Sequence, residues 1–277
     1  MKKLVGLSLG SYLLLCGFAA ASAQQNSDQS MKPPNVLVVM REFLKPGKSG
    51  SLHAKSESAF VQAMTAAKWP THYFAADSMS GQSRSLFFVG YDSLEAWEKD
   101  NLATQANSTL ASALDSAAIA DGDLLTEYDT NVAVYRDDLS FHAGVNIAQM
   151  RYFEISRFVV RPGHEKEWED LVKEYISGYS KAVPDAHWAI FESLYGQDNG
   201  GVFLLFNPMK SLAEADRSFA DSKKFAAALG ESGMKKVEDM SASCIESTQT
   251  NLFIFNPKMS YPDDAWVKAD PAFWAPK

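Results

Sequence analysis

Thr130-Asn131-Val132-Ala133-Val134-Tyr135, followed by Leu139-Ser140-Phe141, recurs as Thr250-Asn251-Leu252-Phe253-Ile254-Phe255, followed by Met259-Ser260-Tyr261. Other signatures recur with it. His72-Tyr73, Asp77-Ser78 and Gly81-Gln82 return as His187-Trp188, Glu192-Ser193 and Gly196-Gln197. Arg41 with Lys45-Pro46-Gly47 returns as Arg157 with Arg161-Pro162-Gly163. Solenoid units run about 20–50 residues, whereas here 41 maps to 157, 72 to 187 and 130 to 250. A spacing this long denotes two whole domains.

Each copy carries the same element order. Asn35 to Phe43 is β-branched and apolar, hence a strand, and Lys45-Pro46-Gly47 ends it. The next element is helical. Its inward face reads Ala59, Phe60, Ala63, Met64 and Ala67 in the first copy, and Trp168, Leu171, Val172, Tyr175, Ile176 and Tyr179 in the second. Two strands follow Pro70 and Pro184: Thr71 to Met79 then Ser85 to Tyr91, and Ala186 to Tyr195 then Val202 to Asn207. Gly81 and Gly196 sit in the connecting turns. Ser93 and Ser211 are placed to cap long, broken helical regions, Leu94 to Ala118 and Leu212 to about Met240. Each copy closes on its Thr-Asn strand.

The order β-α-β-β-α-β, twice, predicts an α+β protein of two tandem ferredoxin-like repeats, 35–141 and 150–261. An apolar sheet face cannot stay bare, so the two sheets are expected to face each other. That makes an intrachain α/β barrel, a pseudo-dimer joined by the linker 142–149. The tail, 262–277, carries Trp266, Phe273 and Trp274 among prolines and is expected to pack along one unit.

Residues 1–23 read as a signal peptide: Lys2-Lys3, an apolar stretch from Leu4 to Ala19, then Ala21-Ser22-Ala23. Leu15 before Cys16 is not small, which argues for soluble export over a lipid anchor. The expected location is periplasmic or secreted, with 24–34 a flexible lead-in. Losing Lys2 and Lys3 takes the formal charge from −8 to −10. An acidic chain without a basic block lacks the footprint for nucleic acid or anionic lipid. No apolar run after Ala23 approaches the ~18 residues of a membrane helix. Cys244 is then the single cysteine, so no intramolecular disulfide forms, and it is expected to be buried and inert.

The run Glu154-Ile155-Ser156-Arg157-Phe158-Val159-Val160-Arg161-Pro162-Gly163 resembles the opening strand of NIPSNAP-like members of the dimeric α/β-barrel superfamily. Those begin with a Glu-Leu-Arg-x-Tyr stretch leading into Pro-Gly. Ser156 stands here for the arginine and Phe158 for the tyrosine, with Arg157 displaced by one; the first copy has Val38, Met40 and Glu42. The resemblance implies the fold over about residues 35–261. The superfamily spans cofactor-independent oxygenases, haem-degrading and haem peroxidase-like enzymes, and members with no known reaction.

Alternation along the second strand places His72, Phe74, Ala76 and Ser78 on one face and Tyr73, Ala75 and Asp77 on the other. In the second copy His187, Ala189, Phe191 and Ser193 oppose Trp188, Ile190 and Glu192. If the histidine face lines the interior, His72 and His187 are the candidate acid and base. If the other face does, Asp77 and Glu192 are the candidate catalytic carboxylates, with Tyr73 and Trp188 against the ligand. The competing reading is that each histidine bonds a loop carbonyl. Arg41 and Arg157 either clamp an anionic ligand or pair with a helix carboxylate.

No metal site is expected. His53, His72, His142, His164 and His187 show no two-histidine helical spacing, and one cysteine makes no cluster. His164 is expected to lie exposed near a helix start. No cofactor is assigned. The favoured reading is an exported barrel protein binding a small apolar or aromatic ligand between its sheets, either as a cofactor-independent monooxygenase-like or isomerase-like enzyme or as a binder alone. The alternatives are a non-enzymatic interaction module and, last, a haem-dependent enzyme. Internal pairing allows a monomer, and further homo-oligomerisation stays open.

Overall fold

A computed structural model describes residues 31–197 and 200–275; the expected signal peptide, and the lead-in up to residue 30, lie outside them. The chain forms β1 (Val36–Leu44), α1 (Ser51–Ala67), β2 (Tyr73–Ser78), β3 (Arg84–Tyr91), α2 (Leu94–Ala106), α3 (Ser108–Gly122) and β4 (Leu125–Tyr135). After two short 3-10 turns come β5 (Tyr152–Val160), α4 (Glu165–Ala182), β6 (Ala189–Tyr195), β7 (Val202–Met209), α5 (Ala213–Cys244) and β8 (Ile245–Tyr261). Two short tail helices, α6 (Asp264–Ala269) and α7 (Pro271–Trp274), end the described chain.

All eight strands join one closed barrel in the order β1-β3-β2-β8-β5-β7-β6-β4, every pair antiparallel. Closure leaves no edge strand open to aggregation. The halves therefore do more than face each other. They are stitched at two seams: β4 on β6, with Ala133 opposite Ser193 and Tyr135 opposite Phe191, and β2 on β8, with Ala76 opposite Phe255.

Eight strands make an interior that side chains just fill. Here Phe88, Phe153, Phe191, Phe206, Phe253 and Phe255 fill it with Leu37, Val39 and Ala133. The rings meet tilted or edge to face, as at Phe153 and Phe255 (4.8 Å, 63°) and Phe153 and Phe206 (5.4 Å, 70°). Alternate residues face outward and pack beneath the helices; Ile190, Phe203 and Val160 lie under Trp168, Leu171 and Val172 of α4.

The broken helical regions follow from local chemistry. Asn107 separates α2 from α3, its side chain accepting from Leu110 N (3.1 Å), and Gly230 interrupts α5 with φ 67°. Ser93 caps α2 as expected, accepting from Ala96 N at 3.1 Å. Ser211 does not cap α5; Glu214 instead reaches back to Lys210 N (3.1 Å). The inward stripe of α1 also differs from the expected one. It holds His53 and Glu57, both buried, while Ala59 is exposed.

The tail does not lie along one unit. It partly closes one end of the barrel, where Trp266 and Trp274 pack on the central cluster together with Ile147 and Ala148 of the linker. Arg151 pairs with Asp270 and stacks its guanidinium 3.9 Å from the centroid of Phe273. Among the described residues, no helix is long and apolar enough to cross a membrane.

Candidate functional site

At the tail end of the barrel a cavity of about 690 Å³ opens, within the size range of small-molecule sites. Phe74, Phe88, Phe153 and Trp266 line it, and both His72 and His187 reach it. The two histidines enter this mouth because each lies just ahead of a barrel strand, His72 one residue before β2 and His187 two before β6, with the residue two places on, Phe74 or Ala189, packed on the barrel core. The histidine face, not the carboxylate face, is thus the inner one.

The two imidazoles are not equivalent. His187 sits between backbone carbonyls, Nε2 at 2.8 Å from Pro208 O and Nδ1 at 3.3 Å from Asp185 O. The shorter contact is to strand β7, and the longer one, to Asp185, is the loop carbonyl of the competing reading. His72 stacks on Tyr261 (4.6 Å between centroids, 28°), and its Nδ1 is buried without a hydrogen-bond partner. A buried polar atom left unsatisfied costs roughly 1–3 kcal/mol.

The other candidates lie elsewhere. Asp77 faces outward, accepting from Ser85 Oγ (2.5 Å) and Asn256 Nδ2 (2.7 Å). Glu192 also faces outward, bound by Arg136 (2.7 Å), which holds Glu169 and Asp138 as well. Strand alternation makes both carboxylates unavailable to the lumen once the histidine face is inside. Tyr73 and Trp188 border the mouth, but their rings turn away. Tyr73 packs near Phe87 and Tyr261, and Trp188 packs on Phe141 and Tyr179 while donating to Leu139 O at 3.1 Å.

Arg41 and Arg157 point inward at the opposite mouth, beside a second cavity of about 260 Å³, and do not meet the histidines. Arg41 forms a two-pronged pair with Asp129 (2.5 and 2.6 Å), its neighbour across β1 and β4 rather than a helix carboxylate. Arg157 donates to Gln197 Oε1 at 3.0 and 3.1 Å. Cys244 is fully buried, and burial pushes its thiol pKa up, as expected of an inert cysteine. His164 is partly exposed and bonds Glu167 (2.8 Å) at the start of α4.

One constellation escaped the sequence reading. Glu42 of β1, His53 and Glu57 of α1 and Asp121 of α3 converge beneath the helices, all buried. Burial, with the charges of Glu42 and Asp121, pushes Glu57 up to about 9. Burial alone would lower His53, but the hydrogen bond to Glu42 (2.9 Å) and the nearby carboxylate of Asp121 (3.6 Å) outweigh that and raise it to about 10. His53 and Glu57, four apart on one helix face, were the available signal; reading that face for apolar residues alone passed over them.

No family model matches the chain, and no curated protein matches it. Solved structures share its fold. A protein of Fusobacterium nucleatum named as a monooxygenase is 12% identical, with 81% of this chain and 94% of that one covered and a TM-score of 0.51. An anthrone oxidase-like protein is 13% identical, with 83% and 94% covered and a TM-score of 0.50. The shared architecture is the dimeric α/β barrel.

Proposed function

We propose that the chain is an exported, NIPSNAP-like barrel protein built from two ferredoxin-like repeats, 35–141 and 150–261, that binds a small aromatic hydroxy compound at its tail-end mouth. The observation that carries this reading is the aromatic-lined cavity of about 690 Å³ with the His72 ring, stacked on Tyr261, in its wall. A flat apolar ligand stacks on the phenylalanine and tryptophan rings. His72 supplies the polar contact that orients it, and is the group placed to take or return the ligand's hydroxyl proton. The names of the two fold neighbours, a monooxygenase and an anthrone oxidase-like protein, support an aromatic, oxidisable occupant. With residues 1–23 removed as a signal peptide, the protein would work in the periplasm or outside the cell.

Calorimetric titration with 1-naphthol and naphthalene tests the assignment. The wild-type protein is expected to bind the naphthol roughly tenfold more tightly, the worth of one hydrogen bond in a dry site. His72→Phe keeps the ring that stacks on Tyr261 and should abolish that preference while leaving naphthalene affinity unchanged. Equal affinity of the wild-type protein for both compounds contradicts the role of His72; binding of neither contradicts the site.

A further inference from the structure

We infer that Glu42, His53, Glu57 and Asp121 form a binding site for one first-row divalent cation, of the zinc or manganese kind, that ties α1 and α3 to the outer face of β1. Each residue offers one ligand atom, and these four atoms lie within 4.8 Å of one another. His53 Nε2 stands 2.9 Å from Glu42 Oε2, 3.6 Å from Asp121 Oδ1 and 3.8 Å from Glu57 Oε1. An ion with tetrahedral bonds of about 2.0–2.1 Å sets its ligand atoms roughly 3.3 Å apart. The observed separations straddle that figure. Three carboxylate oxygens and one imidazole nitrogen are a donor set that suits zinc and manganese.

The unsatisfied atoms point the same way. Glu57 Oε1 and both carboxylate oxygens of Asp121 are buried with no hydrogen-bond partner. Glu57 is 3% exposed and Asp121 1%. Buried carboxylates left bare are among the costliest arrangements in a protein. Asp121 is also in the last turn of α3, where the helix dipole disfavours negative charge. No Lys or Arg among the described residues pairs with any of the three acids; their one ion-pair partner is His53.

The surroundings hold His53 as a ligand should be held. Its Nδ1 lies 3.3 Å from Ser85 Oγ, which donates to Asp77 Oδ1 (2.5 Å), itself fixed by Asn256 (2.7 Å). Donation from Nδ1 to Ser85 selects the tautomer whose Nε2 lone pair faces the carboxylates. Outer hydrogen bonds of this kind orient metal-bound histidines. Asp77, outside the barrel and of no use to the lumen, acquires a place in this chain.

The test is metal uptake by the full mature chain after dialysis against EDTA. With ZnCl₂ or MnCl₂ added and excess removed, mass-spectrometric metal analysis should find about one equivalent of at least one ion per chain, with a rise in Tm. Asp121→Asn and His53→Gln should each weaken uptake roughly tenfold or more. Ser85→Ala should weaken it less. Circular dichroism establishes that each variant is folded, and the wild-type stoichiometry stands without them. Uptake below about a fifth of an equivalent of both ions, or uptake unaltered in folded Asp121→Asn and His53→Gln, overturns the inference.

Discussion

Gly196→Ala is expected to destabilise the protein by about 3 kcal/mol or more, from two separate causes. Gly196 has φ +82°, a left-handed conformation that costs an alanine roughly 1 kcal/mol or more. A Cβ there would also stand 1.9 Å from Thr130 O and 3.2 Å from Asn131 Cα. Thr130 cannot recede, because it is paired with Met40 in the β1–β4 ladder. The new methyl therefore pushes β6 from β4 at a seam that closes the barrel, where Asn131 Nδ2 also donates to Tyr195 O (3.0 Å). Urea denaturation separates the causes. Gly163 has φ +84° with nothing within 4 Å of its Cβ position, so Gly163→Ala should lose only the conformational part, about 1 kcal/mol. Gly200, with open space and no such φ, should tolerate alanine within about 0.5 kcal/mol. Equal losses at 196 and 163 would show that the seam is looser than described.

Trp274→Ala should cost about 3–5 kcal/mol, the usual range for removing a buried tryptophan. Its side chain is 2% exposed and fills the end of the barrel, packed edge to face on Phe273 (4.8 Å, 89°) and Trp266 (5.1 Å, 67°). The indole Nε1 donates to Ala148 O at 2.6 Å, and that carbonyl belongs to the linker between the halves. Losing the ring leaves a void and an unsatisfied acceptor together. Trp274→Phe should keep most of the packing and lose chiefly the hydrogen bond, about 1 kcal/mol. An alanine variant as stable as wild type in urea would mean that the tail does not close the barrel.

The sequence displayed the element order well, and β1 begins within one residue of its expected start; the stripe of α4 is buried at Trp168, Leu171 and Val172 and half-buried at Tyr175, Ile176 and Tyr179. What the recurring residues do was not legible. Gly81 lies under Asn251, whose Oδ1 would be 2.2 Å from an added Cβ, while Gly196 lies under Thr130 and Asn131. Each half's glycine turn thus receives the other half's Thr-Asn strand, a contact between residues far apart in the chain. Such a pairing leaves no local pattern. The same reason separates Arg41 and Arg157 from the histidines: strand alternation gives a face, but not which end of a barrel a residue reaches. The tail was misplaced because aromatic content says that a segment is buried, not against what. The acid cluster was missed because its members come from β1, α1 and α3, and burial of charge runs against the reading of a helix by its apolar stripe.

The most direct test of the account is a carbon–proton correlation spectrum of the imidazole rings, recorded while 1-naphthol is titrated into the wild-type protein. Five histidines give few signals, and single substitutions assign them. The account predicts that His72 moves most and His187 moves with it, both lining the tail-end cavity. His53, buried on the inner face of α1, and His164, at the start of α4, should stay fixed. Saturable shifts confined to His164 or His53, or no shift at His72 at ligand saturation, would contradict it.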